Sequence, residues 1–137
     1  MPSLVSFLLP LTPPLDRHSL AYTFIRAGLP DRVEEFYGPE YLSGIANDPM
    51  ALNFYAGFWS YQDKNMYSAL EAAEISCKID KDKPRPWTIR ARILMNLGNY
   101  EHALMALDKA ISLDKYKEEK EEHESMRKQL LEVLKKK

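Results

Sequence analysis

The sequence has a single cysteine in 137 residues and almost no excess of charge. With one thiol, Cys77, the chain cannot form an internal disulfide or a metal site built from several cysteines, and this favours a reducing compartment. The formal net charge of −1 provides no surplus of lysine and arginine for binding phosphates. We therefore expect a cytoplasmic protein that does not bind nucleic acid.

Long apolar runs are missing too. No stretch reaches the roughly 18–20 apolar residues that span a bilayer, so we expect no direct membrane insertion. Residues 1–15 are apolar but have prolines at positions 2, 10, 13 and 14 and no lysine or arginine. A secretory signal begins with positive charge and continues as an unbroken apolar run. We predict an extended, Pro-rich arm, and cleavage of this segment is the less favoured alternative.

Residues that would support catalysis are sparse. His18, His102 and His123 lie far apart, and none has a histidine or cysteine three or four positions later. The sequence contains no glycine-rich phosphate loop, GxSxG, HExxH or EF-hand motif. We predict that the protein is not an enzyme and needs neither a metal nor another cofactor.

What the chain does contain is an internal repeat of 34 residues. The matching positions hold mainly small residues, which allow two helices to approach closely, and an apolar-Asp-Lys triplet ends each unit. The matching pairs are Gly57 with Ala91, Ala69 with Ala103, Ser76 with Ala110, Ile79 with Leu113, Asp80 with Asp114 and Lys81 with Lys115.

The unit at 84–115 has the more specific pattern. It places Trp87, Ala91 and Leu94 on its first helix, Gly98-Asn99-Tyr100 in the turn, and Ala103, Leu107 and Ala110 on its second helix. In both helices apolar residues recur every three or four positions, the period of a helix with one buried face. Over the whole unit this pattern resembles a tetratricopeptide repeat.

The remaining segments depart further from that pattern. The unit at 50–83 has Asn53 in place of the tryptophan and Lys64 in place of the turn glycine, and 16–49 is predicted as a degenerate hairpin. Residues 116–137 are predicted to form a charged terminal helix. Its first half is expected to be solvated, whereas Met126, Leu130 and Leu134 in its second half dock on the last repeat or on a partner.

The predicted fold is therefore all-α. Antiparallel helical hairpins of tetratricopeptide type stack as a short right-handed superhelix, and a C-terminal helix caps the stack. A single hairpin cannot bury its own apolar face, so about three such units are needed for stability.

The resemblance implies that the first helix of each hairpin lines a concave groove. The predicted groove residues are Phe54, Phe58, Tyr61, Arg85, Thr88, Arg92 and Met95. Such a groove, aromatic at one end and positively charged at the other, suits an extended peptide with apolar anchors and an acidic group or free carboxylate. Phe54 and Phe58 stand where family members that clamp a chaperone's C-terminal carboxylate have Lys and Asn, which disfavours an adaptor of that kind.

A simpler interpretation of the aromatic stripe is a hydrophobic core. Tyr55, Phe58, Trp59 and Tyr61 follow the helical spacing that is more often found between packed helices than in a ligand site. Trp87 is also predicted to be a packing residue. The sequence leaves both interpretations open for the first helix.

Two functions fit the sequence. The first is a protein-interaction module, an adaptor or chaperone that holds an extended peptide segment of a partner in the groove. The alternative is a structural subunit of a larger assembly, held by the arm at 1–15 and the terminal helix. The arm is predicted to cover the exposed face of the first hairpin as a cap. The alternatives are that it folds back into its own groove as an autoinhibitor, inserts into a neighbouring subunit so that the chain self-associates, or anchors the protein to a partner.

Overall fold

The computed structural model describes residues 47–62 and 64–136, which form five α-helices and no strand. The predicted arm at 1–15 and nearly all of the hairpin predicted at 16–49 lie outside the described residues. The helices are α1 (Pro49–Gln62), α2 (Met66–Ile79), α3 (Pro84–Asn96), α4 (Tyr100–Leu113) and α5 (Lys120–Lys135). The all-α prediction is confirmed for the part of the chain that the structure describes.

Local sequence explains where these helices begin and end. Asp48 Oδ1 accepts hydrogen bonds from the backbone N–H groups of Met50 (3.1 Å) and Ala51 (3.2 Å), which caps the start of α1. Pro84 opens α3, where a first turn tolerates the missing N–H. Gly98, with φ +81°, ends α3 in a left-handed conformation that favours glycine.

The turn after α3 is short because its backbone closes on the end of the helix. Gly98 N–H donates to the Met95 carbonyl (3.0 Å), and Asn99 N–H donates to the Leu94 carbonyl (2.9 Å). This pair of bonds is the Schellman arrangement, and it satisfies two carbonyls that would otherwise be orphaned. The chain can therefore start α4 at once and return along α3.

Helices that follow one another pack together, and α3 also packs against α1. One core cluster lies between α1, α2 and α3, and a second lies between α3, α4 and α5. The small residues Ala69, Ala91, Ala103 and Ala110 have no exposed surface. Alanine at these repeat positions lets the helix backbones approach closely, as the repeat predicts.

The terminal helix α5 completes the second cluster. Met126 and Leu130 are buried there, and Leu130 has no exposed surface. Of the two alternatives for this half of the helix, the structure shows it docked on α3 and α4 of its own chain. None of the described helices combines the length and the apolar character needed to cross a membrane.

Candidate binding groove

A groove of about 540 Å³ opens along α1 and the beginning of α3. Four of the predicted groove residues line it together, namely Phe54, Phe58, Tyr61 and Arg85. Apart from Arg85, the described lining carries no charged side chain. The other described lining residues are Met50, Asn53, Gly57 and Ile89.

The aromatic side chains of α1 divide between the groove and the core. Phe54, Phe58 and Tyr61 follow i, i+4, i+7 spacing and so share one face of the helix. Phe58 is nearly buried, and its ring lies 5.0 Å from that of Trp59 in an edge-to-face arrangement. Tyr55, Phe58 and Trp59 belong to the hydrophobic core, so the simpler interpretation is correct for these three, and Phe58 also borders the groove. Tyr61, by contrast, is 65% exposed at the rim of the groove.

Carboxylates from α5 neutralise both predicted arginines, of which Arg85 lines this groove. Arg85 Nη1 donates to Glu119 Oε1 (2.9 Å) and to Glu122 Oε2 (2.7 Å). Arg92 Nη2 donates to the other oxygen of Glu122, and its guanidinium lies 4.5 Å from the centroid of the Tyr61 ring. Burial lowers the pKa of Arg92 from its ordinary value. The structure thus places two acidic side chains where the sequence predicted an uncompensated positive charge.

The first half of the charged terminal segment is therefore not uniformly solvated, and that prediction is wrong for three residues. His123 is buried, and the side chains of Glu119 and Glu122 are only 15% and 27% exposed. Their neighbours Glu121 and Glu124 do point into solvent. The spacing of positions 119, 122 and 123 could have indicated that these side chains are buried together, because residues three and four apart share a helix face.

Thr88 does not line the groove, because its side chain is fully buried. Its hydroxyl donates to the Pro84 carbonyl (3.2 Å) or to the imidazole of His123, whose Nε2 lies 2.8 Å away. The prediction that Thr88 lines the groove is therefore wrong, because α5 packs over this side of α3.

Met95 and Arg92 line a second groove of about 480 Å³, between α1, α3 and α5. Tyr61 lines both grooves and stands between them. Asn96 borders the second groove and donates through Nδ2 to the Ser60 carbonyl (2.9 Å), which ties α3 to α1. The predicted site is therefore split into an apolar groove and a polar one that meet at Tyr61.

Buried polar groups hold α5 against α3. Asp114 accepts hydrogen bonds from the N–H groups of Glu118 and Glu119 (both 3.0 Å), which fixes the chain entering α5. Its Oδ2 also lies 3.6 Å from His123 Nδ1. Asp114, His123 and Thr88 follow the order of a carboxylate–histidine–hydroxyl triad. A nucleophile must reach its substrate, however, and Thr88 has no exposed surface. We therefore interpret the cluster as a buried polar contact that holds α5 against α3.

Within residues 47–62 and 64–136, the remaining titratable groups give no second site. Cys77 is buried, and burial raises the pKa of its thiol to about 11. Among the described residues, no cluster of His, Cys, Asp and Glu is arranged to hold a metal ion. No protein-family model and no curated protein matches the sequence.

Proposed function

We propose that this chain is a non-catalytic protein-interaction module, an adaptor or chaperone. It binds an extended segment of a partner protein in the groove along α1 and α3. The observation that carries the proposal is the groove itself, a concavity of about 540 Å³. Grooves of this size with apolar walls and few polar groups are typical binding sites. Met50 and Tyr61, both about two-thirds exposed, provide apolar and aromatic contact surface on its walls.

The tetratricopeptide type of hairpin belongs to the same proposal. Three features support it: the 34-residue repeat, the buried alanines at equivalent positions of α2 and α4, and the packing of α3 on both helices of the preceding pair. We propose that the hairpins stack as a short right-handed superhelix capped by α5. In that arrangement α1 and α3 are the first helices of their hairpins, the position that lines a concave groove.

The alternative function, a structural subunit held by its arm and terminal helix, gains less support. Met126 and Leu130 of α5 pack within the chain. Of the large apolar side chains in α5, all of whose residues the structure describes, Leu131 alone is exposed. The terminal helix therefore offers little apolar surface for a permanent contact.

A pair of exposed tyrosines provides the test. Peptides that bind the purified full chain are selected from a random library displayed on phage, and their dissociation constants are measured by fluorescence anisotropy. Tyr61→Ala removes an aromatic side chain from the groove, and Tyr67→Ala removes a more exposed one from α2, outside it. We expect Tyr61→Ala to weaken binding by about tenfold or more, because aromatic anchors dominate such contacts. Tyr67→Ala should leave affinity unchanged.

The proposal would be wrong if selected peptides bound both variants equally well, or if both substitutions weakened binding alike. Circular dichroism spectra of the two variants control for folding. Because Tyr61 also stacks on Arg92, the melting temperature of each variant is compared with that of the unsubstituted chain.

A further inference from the structure

We infer that Glu119 and Glu122 determine which partner segments the groove accepts. By neutralising Arg85, which lines the apolar groove, and Arg92, which lines the polar groove beyond Tyr61, they select an uncharged apolar segment and reject one that places a carboxylate where the two grooves meet, which we call the arginine end. This inference rests on the proposed function and gives the partner's chemistry. It replaces the expectation of an acidic ligand drawn from the two arginines alone.

Positive and negative charges balance at the arginine end. Glu122 bridges both arginines, with Oε2 on Arg85 and Oε1 on Arg92. Glu119 adds a second carboxylate on Arg85. Two guanidinium groups face two carboxylates, so the cluster carries no net charge for an acidic ligand to meet.

The two carboxylates are held in place by the packing of α5. Glu119 follows the turn capped by Asp114, and its Oε1 lies 3.6 Å from His123 Nε2. Leu130, lower on α5, is fully buried against α3 and α4. The glutamates are thus positioned by a docked helix rather than by a free chain end.

An incoming carboxylate would have to compete with Glu122 for both arginines. Arg92 is 15% exposed, and ion pairs this well buried are screened by salt far less than surface pairs. An acidic ligand would either displace Glu122 from both arginines or lie beside it as a like charge. Like charges brought together at an interface strongly disfavour binding.

With the arginines neutralised, the groove offers apolar surface and neutral hydrogen-bond donors. The rest of the described lining is uncharged, and Asn53, its amide residue, already accepts a hydrogen bond from Ser76 through Oδ1 (2.8 Å). A guanidinium group has five N–H donors, and a backbone carbonyl can accept from one of them without adding charge. An extended segment with apolar side chains and neutral polar groups at the arginine end meets all of these conditions.

The test is a matched scan of the selected peptide. Each position is replaced in turn by Asn and by Asp, and the affinity of each pair of peptides is measured by anisotropy. For the unsubstituted chain we expect the Asp peptide to bind about tenfold more weakly than its Asn twin at positions beside Arg85 and Arg92. In the Glu122→Gln variant this ratio should shift by at least about tenfold towards Asp.

Glu121→Gln provides the matched control, because it makes the same change in net charge on the same helix at an exposed side chain. Its Asp/Asn ratio should equal that of the unsubstituted chain. Arg85→Gln is the second variant: it leaves the glutamates in excess and should make the penalty for Asp larger.

Three results would overturn the inference: an Asp peptide that binds the unsubstituted chain tighter than its Asn twin at the arginine end, equal shifts for Glu122→Gln and Glu121→Gln, or an unchanged penalty in Arg85→Gln. If peptide binding does not depend on Tyr61, the proposed function itself fails and the inference falls with it. A Tyr61-dependent peptide with the wrong charge preference overturns the inference alone.

Discussion

Leu130 and Leu131 are adjacent leucines on α5 that should respond very differently to truncation. Leu130 has no exposed surface, whereas Leu131 is 46% exposed. Replacing each in turn by alanine makes the same chemical change on the same helix. The comparison therefore isolates the contribution of docking α5 from the effect of helix propensity.

The expected magnitude follows from what each side chain contacts. Leu130 packs in the cluster that includes Leu94, Leu107 and Met126, so truncation removes buried methyl groups and leaves a cavity. Such a change costs about 2.7–5 kcal/mol of the free energy of unfolding. Leu131 lies on the solvent-exposed face of the helix, and we expect Leu131→Ala to lower the free energy of unfolding by less than about 1 kcal/mol.

The assay is urea unfolding followed by circular dichroism. With a slope of about 2 kcal/mol per molar urea, a loss of about 3 kcal/mol lowers the midpoint by roughly 1.5 M. Helical arrays of repeats lose two-state behaviour when one end detaches, so amide hydrogen exchange in α5 is measured alongside. Leu130→Ala should speed exchange in α5 first.

Equal midpoints for the two variants would refute the reasoning. They would mean that α5 does not contribute its buried face to the stability of α3 and α4. Unchanged exchange in α5 of the Leu130→Ala variant would contradict the docking in the same way.

Three further predictions concern single side chains. Gly57→Ala should raise the free energy of unfolding by about 0.5–1 kcal/mol, because a Cβ there meets Ile89 Cδ1 at an ordinary 3.7 Å in a helix interior; a lower melting temperature would contradict this. The thiol of Cys77, whose pKa is raised to about 11, should react with a disulfide reagent at about pH 8 at least ~100-fold more slowly in the folded than in the denatured chain, and rapid labelling of the folded chain would contradict its burial. Thr88→Val should cost about 1–3 kcal/mol by removing the hydroxyl at His123 while Thr88→Ser costs less, and equal urea midpoints for the two variants would rule out that hydrogen bond.

The helices were predictable where local patterns specify them. Trp87, Ala91 and Leu94 recur at helical spacing, and Gly98 marks the turn because only its backbone adopts a positive φ there at no steric cost. These signals lie within a few residues of one another, so the sequence alone is enough to read them. The same holds for the aromatic face of α1, on which Phe54 and Tyr61 were predicted as groove residues and do line one.

The polar half of the site was not predictable in this way. Thr88 is buried by His123, which follows it by 35 positions, and no local pattern links the two. Glu119 and Glu122 lie in a charged run that resembles a solvated helix surface. Whether such a carboxylate meets water or an arginine depends on how α5 crosses α3, which is a property of tertiary packing.

The docking of α5 links the stability of the chain to the specificity proposed for its groove. Leu130 anchors the helix, and Glu122 on the same helix neutralises the two arginines. If α5 detaches, both arginines lose their carboxylates together, and the end of the groove becomes positively charged. Leu130→Ala, a substitution outside the groove, should therefore shift the Asp/Asn ratio towards Asp, in the same direction as Glu122→Gln. Leu131→Ala should not, and a ratio that stayed constant in Leu130→Ala while α5 exchanged faster would separate the helix from the selectivity of the groove.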